Sequence, residues 1–189
     1  MNSLELVAVA LGFANIALLV RRSIWNYPFG IATVALYFEI FREARLYSDM
    51  GLQVFFVVVQ GWGWWAWARA GGLGGPVAVT RMQISERWLW LAGVTCATAA
   101  WGWVMMRFSD AAAPWWDAAV AMGSVAAQIL LVQRRIENWL VWIAVDVLAI
   151  GLYWSRGLQL TAGLYALFLM MCVFGWREWR RAESEQAKH

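Results

Sequence analysis

Charge is what this sequence has least of. Only 14% of its 189 residues are Asp, Glu, Lys or Arg, and a soluble domain of that size needs far more polar surface. Cysteine is nearly missing too. Cys96 and Cys172 both fall inside apolar runs, which gives no disulfide framework and no CxxC metal spacing. The single histidine, His189, stands outside every apolar run, so histidine-based acid–base or metal chemistry is not expected. No HExxH, GxSxG or phosphate-binding loop occurs. These gaps remove the familiar enzyme classes and leave no catalytic residue, metal ligand set or cofactor motif. Low-complexity stretches are absent as well, apart from a short polar tail over 182–189.

Apolar and aromatic residues fill the space. The chain is 62% hydrophobic, with 16 Trp and 5 Tyr and a mean hydropathy of +0.56. Amphipathic rings in that number suit a membrane protein, where they sit at the interfaces and line pockets. Seven apolar runs of about 17–22 residues predict membrane-spanning helices near 4–20, 26–41, 48–68, 88–106, 115–132, 138–154 and 158–176. Pro28 falls in a first helical turn, where proline is tolerated. The glycine-rich stretch 70–86 is the one sizeable loop. The first run carries Glu5 and no basic residue before it, so it reads as a span and not as a cleaved signal.

Arginine placement sets the expected orientation. The loops after spans one, three, five and seven hold Arg21, Arg22, Arg69, Arg81, Arg87, Arg134, Arg135, Arg177, Arg180, Arg181 and Lys188. That is 11 of the 15 basic residues; Arg42, Arg45, Arg107 and Arg156 fall on the other side. Basic loops stay in the cytoplasm, so the N-terminus is expected outside and the C-terminus in the cytoplasm. The pI of about 9.2 therefore reports topology, and no nucleic-acid partner is implied.

The sequence also contains itself twice. Shifted by 112 positions, residues 12–69 lie over 124–181 without a gap, and 18 of the 58 pairs are identical. Matching Leu and Val carry little weight in apolar helices. Asn26/Asn138, Gly51/Gly163, Gly63/Gly175, Trp64/Trp176 and Trp67/Trp179 in one register carry much more. Span one corresponds to five, two to six and three to seven, with span four between them. Four spans separate equivalent elements, so both copies face the same way across the membrane. The expected layout is three plus one plus three: a first repeat over 1–69, a loop and linker helix over 70–110, and a second repeat over 111–181. Duplicated bundles of this kind mark transporters, with the site at the repeat interface.

Two stripes of polar and aromatic residues are the candidate site. Gln53, Gln60, Trp64 and Trp67 fall within about 60° of one another at 100° per residue. The matching stripe in span seven is Tyr165, Cys172, Trp176 and Trp179. A mid-membrane glutamine is costly without a partner, so Gln60 should face the bundle interior or a cavity. In span six, Asn138, Trp142, Asp146 and Tyr153 share a face about 80° wide. Asp146 is the one acid near mid-span, and its repeat equivalent is Val34. A central aspartate costs roughly 2.5–3.5 kcal/mol on translocon scales, which disfavours the lipid face. Helix–helix hydrogen bonding, an arginine pair or an interfacial belt are the simpler readings of these same residues. Glu39 and Asp117 sit near span ends, where solvation or arginine pairing accounts for them. A cavity of tryptophans, amides and one carboxylate suits a flat aromatic ligand, cationic and rich in hydroxyls. No relay of acids and no sodium cluster appears, so passive transport is the simpler mechanism.

The residues Arg135-Ile136-Glu137-Asn138-Trp139-Leu140-Val141-Trp142-Ile143-Ala144-Val145-Asp146-Val147-Leu148-Ala149-Ile150-Gly151-Leu152-Tyr153, then Gly157-Leu158-Gln159-Leu160-Thr161-Ala162 and Gly175-Trp176-Arg177-Glu178-Trp179, resemble the PnuC-type vitamin transporters. In the first half, Tyr27-Pro28-Phe29-Gly30 and Tyr47-Ser48-Asp49-Met50-Gly51-Leu52-Gln53 are similar to the same family. The resemblance implies an all-α integral membrane fold akin to the SWEETs, forming a homotrimer in a bacterial inner membrane. It implies facilitated diffusion of a vitamin, with cytoplasmic phosphorylation trapping it for NAD biosynthesis. The family's paired WxxW elements correspond to Trp64/Trp67 and Trp176/Trp179, and its polar pocket residues to Gln53, Gln60, Asn138 and Asp146.

The leading expectation is a uniporter for nicotinamide riboside, with thiamine, riboflavin or a deoxynucleoside as alternatives within the family. Nicotinamide riboside and thiamine both carry a fixed positive ring charge, so charge alone does not separate them. A membrane-embedded enzyme would need a clustered nucleophile or metal set, and none is present. A structural subunit that moves nothing would leave the duplicated polar stripe without a purpose.

Overall fold

The computed structural model describes residues 3–43, 47–109, 113–155, 157 and 159–186. Arg45, Arg156, Leu158, Lys188, His189 and the segment boundaries at 1, 110, 111 and 189 lie outside them. The described residues form seven α-helices: α1 (Ser3–Val20), α2 (Asn26–Glu43), α3 (Tyr47–Trp67), α4 (Ile84–Phe108), α5 (Pro114–Val132), α6 (Glu137–Ser155) and α7 (Gln159–Gln186). A π-turn over Ala68–Gly72 closes α3. The protein is an all-α integral membrane protein, each predicted span coinciding with a helix. By length and composition, α4, α5 and α6 are apolar enough to cross a bilayer, and Val7–Val20 is a shorter apolar stretch.

Two corrections concern segment ends. Residues 70–86 are not simply a loop: the π-turn ends at Gly72 and α4 begins at Ile84. Helix α7 continues to Gln186, through most of the expected polar tail. Residues 177–186 contain no Gly or Pro and are rich in Arg and Glu, which favour helix.

The chain divides into two compact units, residues 1–78 with 182–189, and residues 79–181. In the first, α1 packs on α2 and α2 on α3; in the second, α5 packs on both α4 and α6. Small residues let the helices approach. The Trp115 ring covers Gly102 of α4, and a Cβ on Gly123 of α5 would stand 2.7 Å from a Val145 methyl of α6. Trp116 lies over Gly151, and its indole N–H donates to the Leu148 carbonyl at 2.9 Å.

The repeat is visible bond by bond. Helix α1 ends with Arg22 N–H donating to Leu19 O (2.8 Å) and Ser23 N–H to Leu18 O (3.0 Å). Helix α5 ends with Arg134 N–H donating to Leu131 O (2.8 Å) and Arg135 N–H to Leu130 O (2.9 Å). Both are Schellman closures. Both place an arginine, not a glycine, in the left-handed region, at φ 57° for Arg22 and 60° for Arg134. Two residues on, Ile24 and Ile136 are each 3% exposed and anchor the turn. An asparagine, the first residue of α2 and the second of α6, then folds back on the turn. Asn26 Nδ2 donates to Ser23 O at 2.7 Å, and Asn138 Nδ2 to Arg135 O at 2.6 Å.

The connection between α3 and α4 is tied down along its length. Val77 N–H donates to Arg22 O at 3.3 Å, and Arg22 Nη1 donates back to Val77 O at 3.4 Å. Thr80 N–H donates to Arg134 O at 3.0 Å, and Ile136 N–H to Thr80 O at 2.9 Å. Met82 N–H then donates to both Glu137 carboxylate oxygens at 3.1 Å, and Arg87 Nη2 pairs with the same carboxylate at 2.8 Å. Glu137 is 6% exposed; these donors are what make its burial tolerable.

Candidate functional site

In the first unit, α3 carries Gln53, Gln60 and Trp67 inward, all buried, while Trp64 is 40% exposed. The stripe is therefore not uniform, since Trp64 lies at its outer edge. Trp67 is fully buried and meets Tyr27 edge-on, with ring centroids 5.2 Å apart. Gly63, one turn earlier, makes room for that tyrosine: a Cβ there would come within 2.5 Å of the Tyr27 ring. Gln60 points at the backbone of α2, its Oε1 lying where a side chain on Gly30 would begin. Asn15 of α1 reaches the same place, its Nδ2 2.6 Å from a Gly30 Cβ, and donates to Asn26 O at 2.6 Å.

The second unit repeats the aromatic half of this arrangement. Trp179, fully buried, meets Trp139 edge-on at 5.6 Å, and Gly175 makes room for Trp139 as Gly63 does for Tyr27. Trp176 is half-buried beneath the Arg180 guanidinium, 4.8 Å from its ring centroid. Arg69 sits in the same way over Trp65, at 4.3 Å. Tyr153 and Tyr165 stack at 5.2 Å, tilted by 36°.

The polar half differs between units. Asp146 is 3% exposed, and Cys172, the counterpart of Gln60, donates its thiol hydrogen to Asp146 Oδ2 at 3.4 Å. No arginine or lysine pairs with Asp146 among the described residues. Trp142, at the position equivalent to Gly30, is half-buried. Asn138 is fully buried, and among the described residues neither its Oδ1 nor the neighbouring Trp139 Nε1 has a hydrogen-bond partner.

Of the sequence-predicted residues, the structure brings together Tyr153 with Tyr165, and joins Asp146 to Cys172. It seals Trp67 and Trp179 into ring pairs with Tyr27 and Trp139. Sequence reasoning missed Asn15, Gly30, Gln128 (9% exposed) and Glu137. Asn15 and Gln128 were open to the argument applied to Gln60, an amide inside an apolar run. Gly30 gave no signal, because only its neighbours explain it. Among the described residues, no group of three His, Cys, Asp or Glu could hold a metal ion.

Comparison with known proteins supplies the remaining finding. Residues 2–181 match the family model described as nicotinamide mononucleotide transporter. The chain is 26% identical to the nicotinamide riboside transporter PnuC of Escherichia coli (strain K12), over 97% of this chain and 87% of that one. It is also 26% identical to the riboflavin/roseoflavin transporter RibM of Streptomyces davaonensis, over 94% and 81% respectively. The crystal structure of a vitamin B3 transporter PnuC superimposes with a TM-score of 0.78, covering 96% of this chain and 82% of its own, at 25% identity.

Proposed function

The chain belongs to the nicotinamide mononucleotide transporter family, and from that premise we propose that it carries nicotinamide riboside across a bacterial inner membrane by facilitated diffusion. The observation that carries the substrate choice is Asp146. It is a buried carboxylate in an apolar helix whose one described partner is a thiol. Such a charge costs roughly 2.5–3.5 kcal/mol at mid-helix unless something compensates it. The pyridinium of nicotinamide riboside brings a fixed positive charge; riboflavin, carried by one relative, brings none.

The further residues of this reading are Gln53, Gln60, Trp64, Trp67, Asn138, Trp142, Tyr153, Tyr165, Trp176 and Trp179. Helices α1–α3 and α5–α7 act as two copies joined by α4, and the basic turns at Arg22 and Arg134 face the cytoplasm, with the N-terminus outside. The protein works as a homotrimer. Phosphorylation of the riboside in the cytoplasm makes it too charged to return, and so sets the direction of net uptake.

The test is a titration of purified protein by intrinsic tryptophan fluorescence against nicotinamide riboside, thiamine, riboflavin and deoxynucleosides. Saturable quenching by nicotinamide riboside is expected, at least about tenfold weaker in Asp146→Asn. Tighter binding of riboflavin, indifferent to Asp146→Asn, would transfer the protein to the riboflavin branch. In proteoliposomes, uptake should stop at equal concentrations inside and out. Accumulation driven by a proton or sodium gradient would refute passive transport.

A further inference from the structure

The outward face of α3 changes character along its length. Val54, Val58, Trp62 and Trp65 fall within about 80° of one another, and they are 52%, 65%, 44% and 54% exposed. One turn beyond Trp65, Arg69 lays its guanidinium over that ring, 4.3 Å from its centroid. From Val54 to Arg69 the chain rises about 22 Å, the depth of one bilayer leaflet with its headgroups. Apolar side chains, then tryptophan, then a cation follow the order in which a phospholipid presents its chains, its glycerol level and its phosphate.

Two details separate this face from a plain lipid-facing surface. Among the described residues no carboxylate pairs with Arg69, and the sequence has no Asp or Glu between Asp49 and Glu86. Seated on the indole, the guanidinium is held in place and keeps its N–H donors for a phosphate. Gly61, on the flank of the same face, is exposed, and a Cβ there would meet nothing within 4 Å. A glycine inside a helix is destabilising relative to alanine, and no neighbour in the chain requires this one. It leaves a notch beside Val58 and Trp65, its neighbours three residues before and four after. In the second repeat Val173 and Arg177 stand at the positions of Gly61 and Trp65, so the arrangement does not follow from the duplicated scaffold.

We propose that this face of α3 is a docking site for an anionic phospholipid. The phosphate sits on Arg69, the glycerol level lies against Trp65, and an acyl chain runs down the notch at Gly61 towards Val58 and Val54. Charge complementarity selects the headgroup: a zwitterionic lipid brings an ammonium close to Arg69, and an anionic one does not. The site is independent of which ligand the protein carries.

The experiment is thermal unfolding of the purified full chain in neutral detergent, titrated with phosphatidylglycerol, phosphatidylcholine or inorganic phosphate. Phosphatidylglycerol is expected to raise the melting temperature by several degrees, at a concentration at least about tenfold lower than phosphatidylcholine needs. Arg69→Gln should cut that preference about fivefold, and Trp65→Leu several-fold, while Arg69→Lys keeps part of it. Gly61→Leu fills the notch and should weaken both lipids. Arg107 is the matched control. It is exposed and also follows a tryptophan by four residues, but Trp103 meets Phe108 instead, at 6.3 Å. Arg107→Gln should therefore keep the wild-type preference. The site is refuted if wild-type protein treats the two lipids alike, if Arg69→Gln and Arg107→Gln behave alike, or if phosphate alone reproduces the shift. If Trp65→Leu protein without added lipid elutes as a smaller species than wild type, the face belongs to a second copy of the chain and the proposal falls.

Discussion

Gly63 and Gly175 occupy equivalent positions, and substituting each by alanine tests what holds the two repeats in shape. A Cβ on Gly63 would stand 2.5 Å from Tyr27 Cε1 and 2.7 Å from Cζ; on Gly175 it would stand 2.5 Å from two carbons of the Trp139 ring. Carbon atoms prefer about 3.5–4.0 Å, so either ring must retreat by roughly an ångström. Retreat disturbs the edge-on pairs with Trp67 and Trp179, both fully buried. Overpacking of this size costs about 1–3 kcal/mol, and a disturbed ring pair adds up to about 1 kcal/mol. At about 2–4 °C per kcal/mol, Gly175→Ala should lower the melting temperature of purified protein by about 2–16 °C. Gly63→Ala should do the same. The cause is checked by combining Gly175→Ala with Trp139→Leu. The smaller side chain makes room for the methyl, so the two effects should fall short of additivity by about 1 kcal/mol or more. A Gly175→Ala protein that melts with the wild type, or a strictly additive double variant, would refute the reasoning.

Glu137→Gln keeps an acceptor for Met82 N–H but loses the charge that pairs with Arg87, so exchange at the Met82 amide should quicken by about tenfold, read by hydrogen exchange. Asn26→Leu and Asn138→Leu each remove one short bond to a turn carbonyl and should each cost about 1 kcal/mol in thermal unfolding. Having no shared partner, the two losses should add. Cys172→Ser keeps a donor for Asp146, whereas Cys172→Val leaves that carboxylate without its described donor and should destabilise by about 1–3 kcal/mol. Equal melting of the Ser and Val variants would show that the thiol contact contributes nothing.

The helices were legible because hydropathy is a local property, and the repeat because identity at a fixed offset needs no structure. The offset of 112 pairs Gly63 with Gly175, Trp67 with Trp179 and Asn26 with Asn138. It did not reveal what they do. Tyr27 and Trp139 are not identical and drop out of the identity count, although each provides the ring that its glycine accommodates. Helical periodicity put Gln53, Gln60, Trp64 and Trp67 on one face but could not say which of them a neighbouring helix covers. The start of α4 lies ahead of the apolar run and is set by polar bonds: Gln83 N–H donates to Glu86 Oε2 at 2.8 Å, and Arg135 from another turn pairs with Glu86 at 3.0 Å. The first is a local capping box and the second a long-range pair, and neither leaves a trace in the hydropathy period.

The two repeats agree in scaffold and differ in chemistry, and the division between the two is sharp. Bonds that fix backbone direction are kept pairwise, down to left-handed arginines at both helix ends. An L-residue there costs about 1–2 kcal/mol over a relaxed backbone. Glycine would avoid that strain but would lose the side chain: Arg22 reaches the Val77 carbonyl, and a basic turn is what fixes orientation in a bilayer. Among the positions that differ are Asn15/Ala127, Gly30/Trp142, Val34/Asp146 and Gln60/Cys172. In the first unit they give neutral amides over a glycine; in the second, a carboxylate joined to a thiol.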